Sequence, residues 1–487
     1  MEGVEKGHIV LFPFMAQGHI IPFLALASKI TQKGYQITFI NTPLNIKKLK
    51  TSTENNSSIH FLEIPFDSTQ YGLPQDAEVT DFLPYNFALK LLEVSPSLEP
   101  HFKKILSQLV DLKIGFFKKP PLCVISDFFF GWSAKVTHEF GILHTIFCGA
   151  AGFGLACYYS MWLNLPHRHT DKLEFILPDF HEAGKFHVTQ LSPSLAVADG
   201  NDSYSVFQMK NLPTWRNSDG VLFNTIEEIE KNGLMYFRRK LCIPIWAIGP
   251  ILFQDKECSP RKELGVDLNK CIEWLDSKEK KSVLYICFGS QNTISASQMM
   301  QLAKGLDGVG VNFIWVIRPP LGFDVDADFK PEEWLPEGFI GRIQENGRRG
   351  IIVLNWAPQV EILAHESVGG FLSNCGWNSV LESLINGVPL IGWPMAADQF
   401  FNAKLLVEEI GVCVEMARGT TFDVSYVDII EKIELVMWTE SEKGKRLRGK
   451  ACEVKEMIKD AVRDEDDYKG SSVTAMDDFF NLMMKER

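Results

Sequence analysis

No stretch of this 487-residue chain approaches the roughly 20 consecutive apolar residues that a membrane-crossing helix needs, so an integral membrane association of that kind is not expected. Positive charge is in deficit as well. Lys and Arg number 49 against 61 Asp and Glu, a net charge of −12, which argues against broad binding to nucleic acid or to an anionic membrane. The ten cysteines contain no Cys-x-x-Cys pair and no short-spaced framework, the pattern of reduced thiols in a large cytosolic protein. No Gly-x-Gly-x-x-Gly follows a strand pattern, and Gly305-Leu306-Asp307-Gly308-Val309-Gly310 has the wrong spacing, which disfavours a nicotinamide-dependent oxidoreductase. Low-complexity tracts and short repeats are missing too. Glu2 and Glu5 precede an apolar run, Ile9–Phe14, that is too short and too poorly led by basic residues for a secretory signal, so it reads as a first strand.

What is present is an ordinary globular balance, 46% apolar and 23% charged, in a chain longer than one hydrophobic core usually supports. Short β-branched and aromatic runs alternate with helical patterns, the signal for βαβ units and parallel sheets. In the first half the runs are His8–Phe14, Gln36–Ile40, Ile59–Ile64, Leu122–Ser126, His144–Phe147 and Gly220–Asn224, closed by Ile248-Gly249-Pro250. The polar stretch Gln254–Asn269 reads as a linker. A second series follows at Ser282–Phe288, Asn312–Ile317, Gly350–Asn355, Val368–Ser373 and Val388–Trp393. The expected organisation is α/β, with an N-terminal domain over 1–250, a linker over 251–269, a C-terminal domain over 270–469 and a cleft between the halves. From Ser472, a candidate cap, Val473, Met476, Phe479, Phe480 and Met483 recur at helical spacing, a stripe that must bury against something.

In open parallel sheets ligands sit beyond the carboxyl ends of strands, so strand-to-helix junctions are where chemistry is sought. One segment, Trp356 to Gln399, holds several such junctions. Trp356 directly follows a strand and offers a flat face for a base, while Gln359 has the amide to pair with a pyrimidine edge. After Val368–Ser373, Gly376 permits close backbone approach, and Asn378 and Ser379 bring donors to the N–H groups of a new helix, a combination suited to phosphate. Glu382, one turn later, is a carboxylate able to accept two ribose hydroxyls. Asp398 and Gln399 open a further helix with an acceptor and a donor for neighbouring sugar hydroxyls. Taken singly, each is an ordinary cap or core ring. Their order and spacing together suit a nucleotide sugar.

With these residues the sequence resembles the plant UDP-glycosyltransferases of specialised metabolism, whose signature box matches Trp356–Gln399 nearly position for position. The likeness continues through PFMAQGHIIPFLALA at 13–27, VISD at 124–127, FNT at 223–225, IGP at 248–250 and FGS at 288–290. It implies a GT-B fold, two Rossmann-like doubly wound domains facing a cleft, with the acceptor in the first, the UDP-sugar in the second and a last helix, about 470–487, packing back on the first. It also implies that Trp356 stacks on uracil beside Ala357 and Gln359, that Glu382 holds the ribose, that Ser290, Trp377, Asn378 and Ser379 line the pyrophosphate, and that Asp398 and Gln399 grip the sugar. Gln399 is the residue associated with glucose donors. The family usually has a phosphate-contacting His before Cys-Gly-Trp-Asn-Ser, where this chain has Asn374, an amide that donates a hydrogen bond but carries no charge. His365 reads as structural.

Catalysis is expected in the first half. His19 follows the first strand and suits a general base near neutral pH, and Asp127, at the end of Leu122–Ser126, has the position to orient it. The resemblance assigns both residues these roles, in an inverting transfer of a sugar from UDP-glucose or a related UDP-sugar to the hydroxyl of a small lipophilic or phenolic acceptor. Phe128-Phe129-Phe130, Phe82 and Tyr85 fit an apolar acceptor pocket, and Cys148-Gly149-Ala150-Ala151 stands where relatives often carry a small polar residue. No cofactor or metal is expected: the acidic runs Asp324–Asp328 and Asp464–Asp466 follow no strand, and His167, His169, His181 and His187 lack ligand spacing. A monomer in the cytoplasm is expected. The alternative is a non-catalytic UDP-sugar sensor of the same fold, whose mark would be a lost base or carboxylate. Asn374→His should keep activity and tighten UDP-sugar binding at mildly acidic pH, where the imidazole is charged. A titration of affinity against pH checks this, and a flat profile rejects it.

Overall fold

The computed structural model describes residues 7–52, 58–80, 83–114, 117, 119–252, 265–290, 292–320, 329–345, 349–354, 356–438 and 441–485. Asp324–Asp328, Phe82, Asn355 and the middle of the expected linker lie outside that set. The chain divides into two compact units. The first comprises Met1–Phe186, Ser194–Arg261 and Asp460–Arg487, and the second comprises His187–Pro193 and Lys262–Lys459.

In the first unit the β-branched runs form seven parallel strands: β1 (His8–Phe12), β2 (Gln36–Asn41), β3 (Ile59–Glu63), β4 (Cys123–Asp127), β5 (Leu143–Cys148), β6 (Gly220–Phe223) and β7 (Ile245–Ala247). Their order across the sheet is β3-β2-β1-β4-β5-β6-β7, with Ile9 level with both Ile37 and Cys123. Every residue of β1, β4 and β5 is buried, because a parallel sheet wrapped by crossover helices has no wet face. Helix Gln17–Gln32 places Ile20, Phe23, Leu24, Ala27 and Ile30 on this core at helical spacing. β7 escaped the sequence reading because three residues give too short a run for periodicity to register.

The chain returns to the first unit at Asp460. Asp464–Glu465 pairs antiparallel with Tyr468–Lys469 in an exposed hairpin, and helix Ser471–Lys485 follows. Ser472 is inside this helix, not its cap. Its hydroxyl donates to the Gly249 carbonyl at 2.5 Å, while the apolar stripe Met476, Phe479, Phe480 and Met483 joins the core of the first sheet. Phe479 meets Trp246 edge-on at 5.8 Å, and Phe480 stacks on Tyr35 at 5.1 Å.

The second unit repeats the plan with β8 (Val283–Cys287), β9 (Asn312–Ile317), β10 (Gly350–Leu354), β11 (Val368–Ser373), β12 (Leu390–Gly392) and β13 (Cys413–Glu415), all parallel, in the order β10-β9-β8-β11-β12-β13. The expected strand Val388–Trp393 shortens to three residues because the Val388 amide is spent on the Ser383 carbonyl and Pro389 has no N–H to give. The expected linker also ends early: Asp267 accepts from the Lys270 amide and starts helix Leu268–Asp276. Among the described residues no helix is long and apolar enough to cross a membrane. Because Phe479 is fully buried, Phe479→Ala should cost about 3–5 kcal/mol. Urea unfolding measures this, and a loss below about 1 kcal/mol would show that the helix does not stabilise the first unit.

Candidate active site

Each sheet reverses its strand order beside its first strand, between β1 and β4 in one unit and between β8 and β11 in the other. At such a reversal neighbouring crossovers leave on opposite faces, and the carboxyl-end loops part to leave a crevice. His19 and Asp127 meet at the first reversal and Ser290 and Asn374 at the second, while Trp356 follows β10 and Asp398 and Gln399 follow β12, away from it in the same sheet.

At the first, His19 is the third residue of the helix that follows β1, and Asp127 is the last residue of β4, not the first beyond it as expected. Asp127 Oδ2 lies 2.8 Å from His19 Nδ1, and its Oδ1 accepts the Phe129 amide at 3.0 Å. The carboxylate is sealed at 1% exposure while the imidazole keeps 22%, so the pair is open on the histidine side only. With Nδ1–H donating a hydrogen bond to the Asp127 carboxylate, Nε2 is left as the basic nitrogen. Rings of Phe14, Phe128 and Phe129 stand 5.3–5.5 Å from the imidazole and give it apolar walls. Tyr85 is exposed and donates to Ser194 Oγ at 2.9 Å.

Several supports of this pair went unread in the sequence. Asn41 Nδ2 donates to the Pro13 carbonyl at 3.0 Å and the Thr80 amide to Met15 at 3.3 Å, fixing the turn that leads to His19. Asn211 Nδ2 and Trp215 Nε1 both donate to the Phe128 carbonyl, at 3.0 and 2.9 Å. The position of Asn41 at the end of the neighbouring strand is a usable signal; Asn211 and Trp215 give none. Gly149 admits the Pro22 ring, since a Cβ there would fall 2.9 Å from Pro22 Cγ, so the loop after β5 packs against the His19 helix.

At the second reversal Ser290 ends the turn after β8 and Asn374 begins the turn after β11. Asn374 is buried, and its Oδ1 accepts the Gly376 amide at 3.4 Å. Helix Trp377–Leu384 starts behind Gly376 with no side-chain cap and no acid in its first turn, so Asn378 and Ser379 are helical residues and not caps. Trp377 is buried, whereas Asn378 and Ser379 remain partly exposed. Cys375 holds φ at +62°, a left-handed turn rare outside glycine, which is how the chain leaves β11 sharply enough to present the helix start.

Gln359 differs from expectation. Its Nε2 donates to Ser379 Oγ at 2.9 Å and to Glu382 Oε2 at 2.6 Å, and its Oε1 accepts from Tyr285 at 3.2 Å. Both ends of the amide are thus committed inside the protein, and the side chain braces Glu382 where a reading of a pyrimidine edge was expected. Burial pushes the Glu382 carboxyl up to about 7, with the Gln359 bond pulling the other way. Trp356, partly exposed, accepts the Gly265 amide on its carbonyl at 2.8 Å, and Ala357 beside it is buried.

Beyond β12, Asp398 precedes helix Gln399–Lys404 without capping it by its side chain. Gln399 Oε1 accepts the Met395 and Ala396 amides at 3.0 Å each, so its oxygen is spent inside the protein and the amide nitrogen is its donor end. Asn402, unnoticed in the sequence, donates from Nδ2 to Asp398 Oδ2 and to the Cys375 carbonyl, both at 3.0 Å, and so ties this turn to the one after β11. Its signal was the one-turn spacing from Asp398. His365 bonds Ser367 and Asp276, a structural role. Among the described residues no group of three or more His, Cys, Asp or Glu is placed to hold a metal ion.

Residues 243–446 match the family of UDP-glucoronosyl and UDP-glucosyl transferases. UDP-glycosyltransferase 92A1 of Arabidopsis thaliana is 46% identical, over 98% of this chain and 97% of its own. Crocetin glucosyltransferase 3 of Crocus sativus is 40% identical, over 91% of this chain and 92% of its own. Among solved structures, that of UGT73P12 of Glycyrrhiza uralensis complexed with glycyrrhetinic acid 3-O-monoglucuronide is similar at a TM-score of 0.81 and 27% identity, covering 99% of this chain and 96% of that one.

Proposed function

Because the chain belongs to the plant UDP-glycosyltransferases, enzymes of the GT-B fold, we propose that it moves glucose from UDP-glucose to a hydroxyl of a small lipophilic or phenolic acceptor, with inversion at the anomeric carbon. The observation that carries this reading is the His19–Asp127 pair, bonded at 2.8 Å at the switch point of the first unit. A UDP-sugar sensor needs no base.

In the proposed reaction His19 Nε2 takes the acceptor proton, the acceptor oxygen forms a bond to the anomeric carbon, and the bond from that carbon to the phosphate oxygen breaks, its electron pair leaving with UDP. Asp127 does not take the proton. It holds the ring in the productive tautomer and stabilises the imidazolium, an arrangement whose loss typically costs several orders of magnitude in rate. Charge gathering on the leaving phosphate meets the uncapped start of helix Trp377–Leu384. Phe14, Phe128 and Phe129 around the imidazole favour an acceptor with a flat apolar body. Trp356 stacks on the uracil, Glu382 accepts the ribose hydroxyls, and Asp398 with the nitrogen of Gln399 engages the sugar. The protein works in this reading as a cytosolic monomer without a metal.

His19→Ala should abolish β-glucoside formation across a panel of flavonoids, simple phenols and terpenoid alcohols while UDP still binds. Asp127→Asn should lower turnover by about 10²-fold or more through the wrong tautomer. Product formation retained by His19→Ala, or absent from wild type with every acceptor, overturns the proposal. Glu382 makes a second prediction. Its carboxyl lies near 7 in the protein, and only the ionised form accepts two hydroxyls, so uridine affinity should be full above pH 7 and fall as pH drops through it. Calorimetry with uridine avoids titration of the phosphates, and Glu382→Gln should bind more weakly with a flat profile.

A further inference from the structure

The turn after β8 is held by a residue with no part in the reading above. Continuing the register of β8 and β9, in which Ile286 lies level with Trp315, by three residues brings Arg318 level with Gly289. The Arg318 guanidinium donates through Nη1 to the Ser290 carbonyl, and Thr293 Oγ1 donates to the Arg318 carbonyl at 3.5 Å, so Arg318 binds the chain on both sides of the turn's exit. Phe288, Ile294, Trp315 and Ile317 line a small recess together with it. On its other side the turn leans on Asn374. Gly289 holds φ at +78°, and a Cβ there would sit 3.1 Å from Asn374 Nδ2. Arg318, the turn, Asn374 and the start of helix Trp377–Leu384 therefore follow one another along the carboxyl edge of β9, β8 and β11. The Arg318 charge is felt within the edge: burial raises the Cys287 thiol, and the guanidinium works against that rise.

A diphosphate brought to this edge meets a neutral amide at Asn374, which carries no charge of its own. We propose that Arg318 is a positioning residue for the donor diphosphate, pinning the Phe288–Ser290 turn by its last carbonyl and setting a permanent positive charge behind it. A guanidinium is suited to this task because it stays charged at all working pH values and its rigid fork holds the carbonyl in a fixed place. The inference rests on the donor-site reading of the second unit.

Calorimetry of the full-length chain with UDP and with uridine tests it. Arg318→Gln should weaken UDP about tenfold, the scale of one charge-assisted hydrogen bond, and leave uridine within about twofold. Arg318→Lys should recover part of the loss, and the UDP affinity of Arg318→Gln should depend less steeply on salt than that of wild type. Under turnover the KM for UDP-glucose should rise with kcat changed less. Unchanged UDP affinity in Arg318→Gln overturns the proposal, as does an equal loss of UDP and uridine, which would mark a merely structural residue. If wild type bound neither ligand, the donor-site reading would fail and this one with it.

Discussion

A parallel sheet that grows outward from its first strand in both directions must send adjacent crossovers to opposite faces, and the His19–Asp127 pair and the turns at Ser290 and Asn374 stand where that happens. Backbone at the carboxyl end of such a strand is not covered by its own crossover helix, so polar groups there keep access to a ligand without breaking the hydrogen-bond ladder below. In the first unit the constraint brings the end of β1 beside the end of β4 and so turns two residues 108 apart in sequence into a bonded pair. In the second it aligns the ends of β8 and β11 and makes one surface of a glycine turn, a buried amide and a helix start.

The parallel sheets were legible because buried strands announce themselves as unbroken apolar runs, and β9 and β11 were read to the residue. Short strands were less so: β7 and β13 went unread, and β12 was read too long. β7, β12 and β13 are three residues each, and their boundaries follow from which amides find tertiary partners, information absent from any local window. The site divides in the same way. His19, Asp127 and the residues of the box could be picked out because their types recur at strand ends in a known order. What escaped was the scaffolding: Tyr285 lies in mid-strand, Asn211 and Trp215 lie far along the chain from the carbonyl they hold, and Asn402 looks like any helical amide.

Gln359 shows why type and position do not fix a role. The sequence offers a planar amide beside a tryptophan, and base pairing is a fair use for it. The fold instead sets helix Gln359–Ala364 next to helix Trp377–Leu384, where a carboxylate rising toward neutrality by burial needs a donor more than a base needs a partner. The amide goes to the costlier group, and a tyrosine hydroxyl fixes its orientation from behind.

The single amide of Asn402 grips both the carboxylate of Asp398 and the main chain at Cys375. These belong to turns that, in the proposed reading, handle opposite ends of the donor's glycosyl phosphate. A change of sugar preference made by remodelling the 398 turn is therefore mechanically linked to the leaving-group turn. Donor specificity in this scaffold is not a detachable module: each new sugar has to be accommodated together with the stabilisation of the charge it leaves behind.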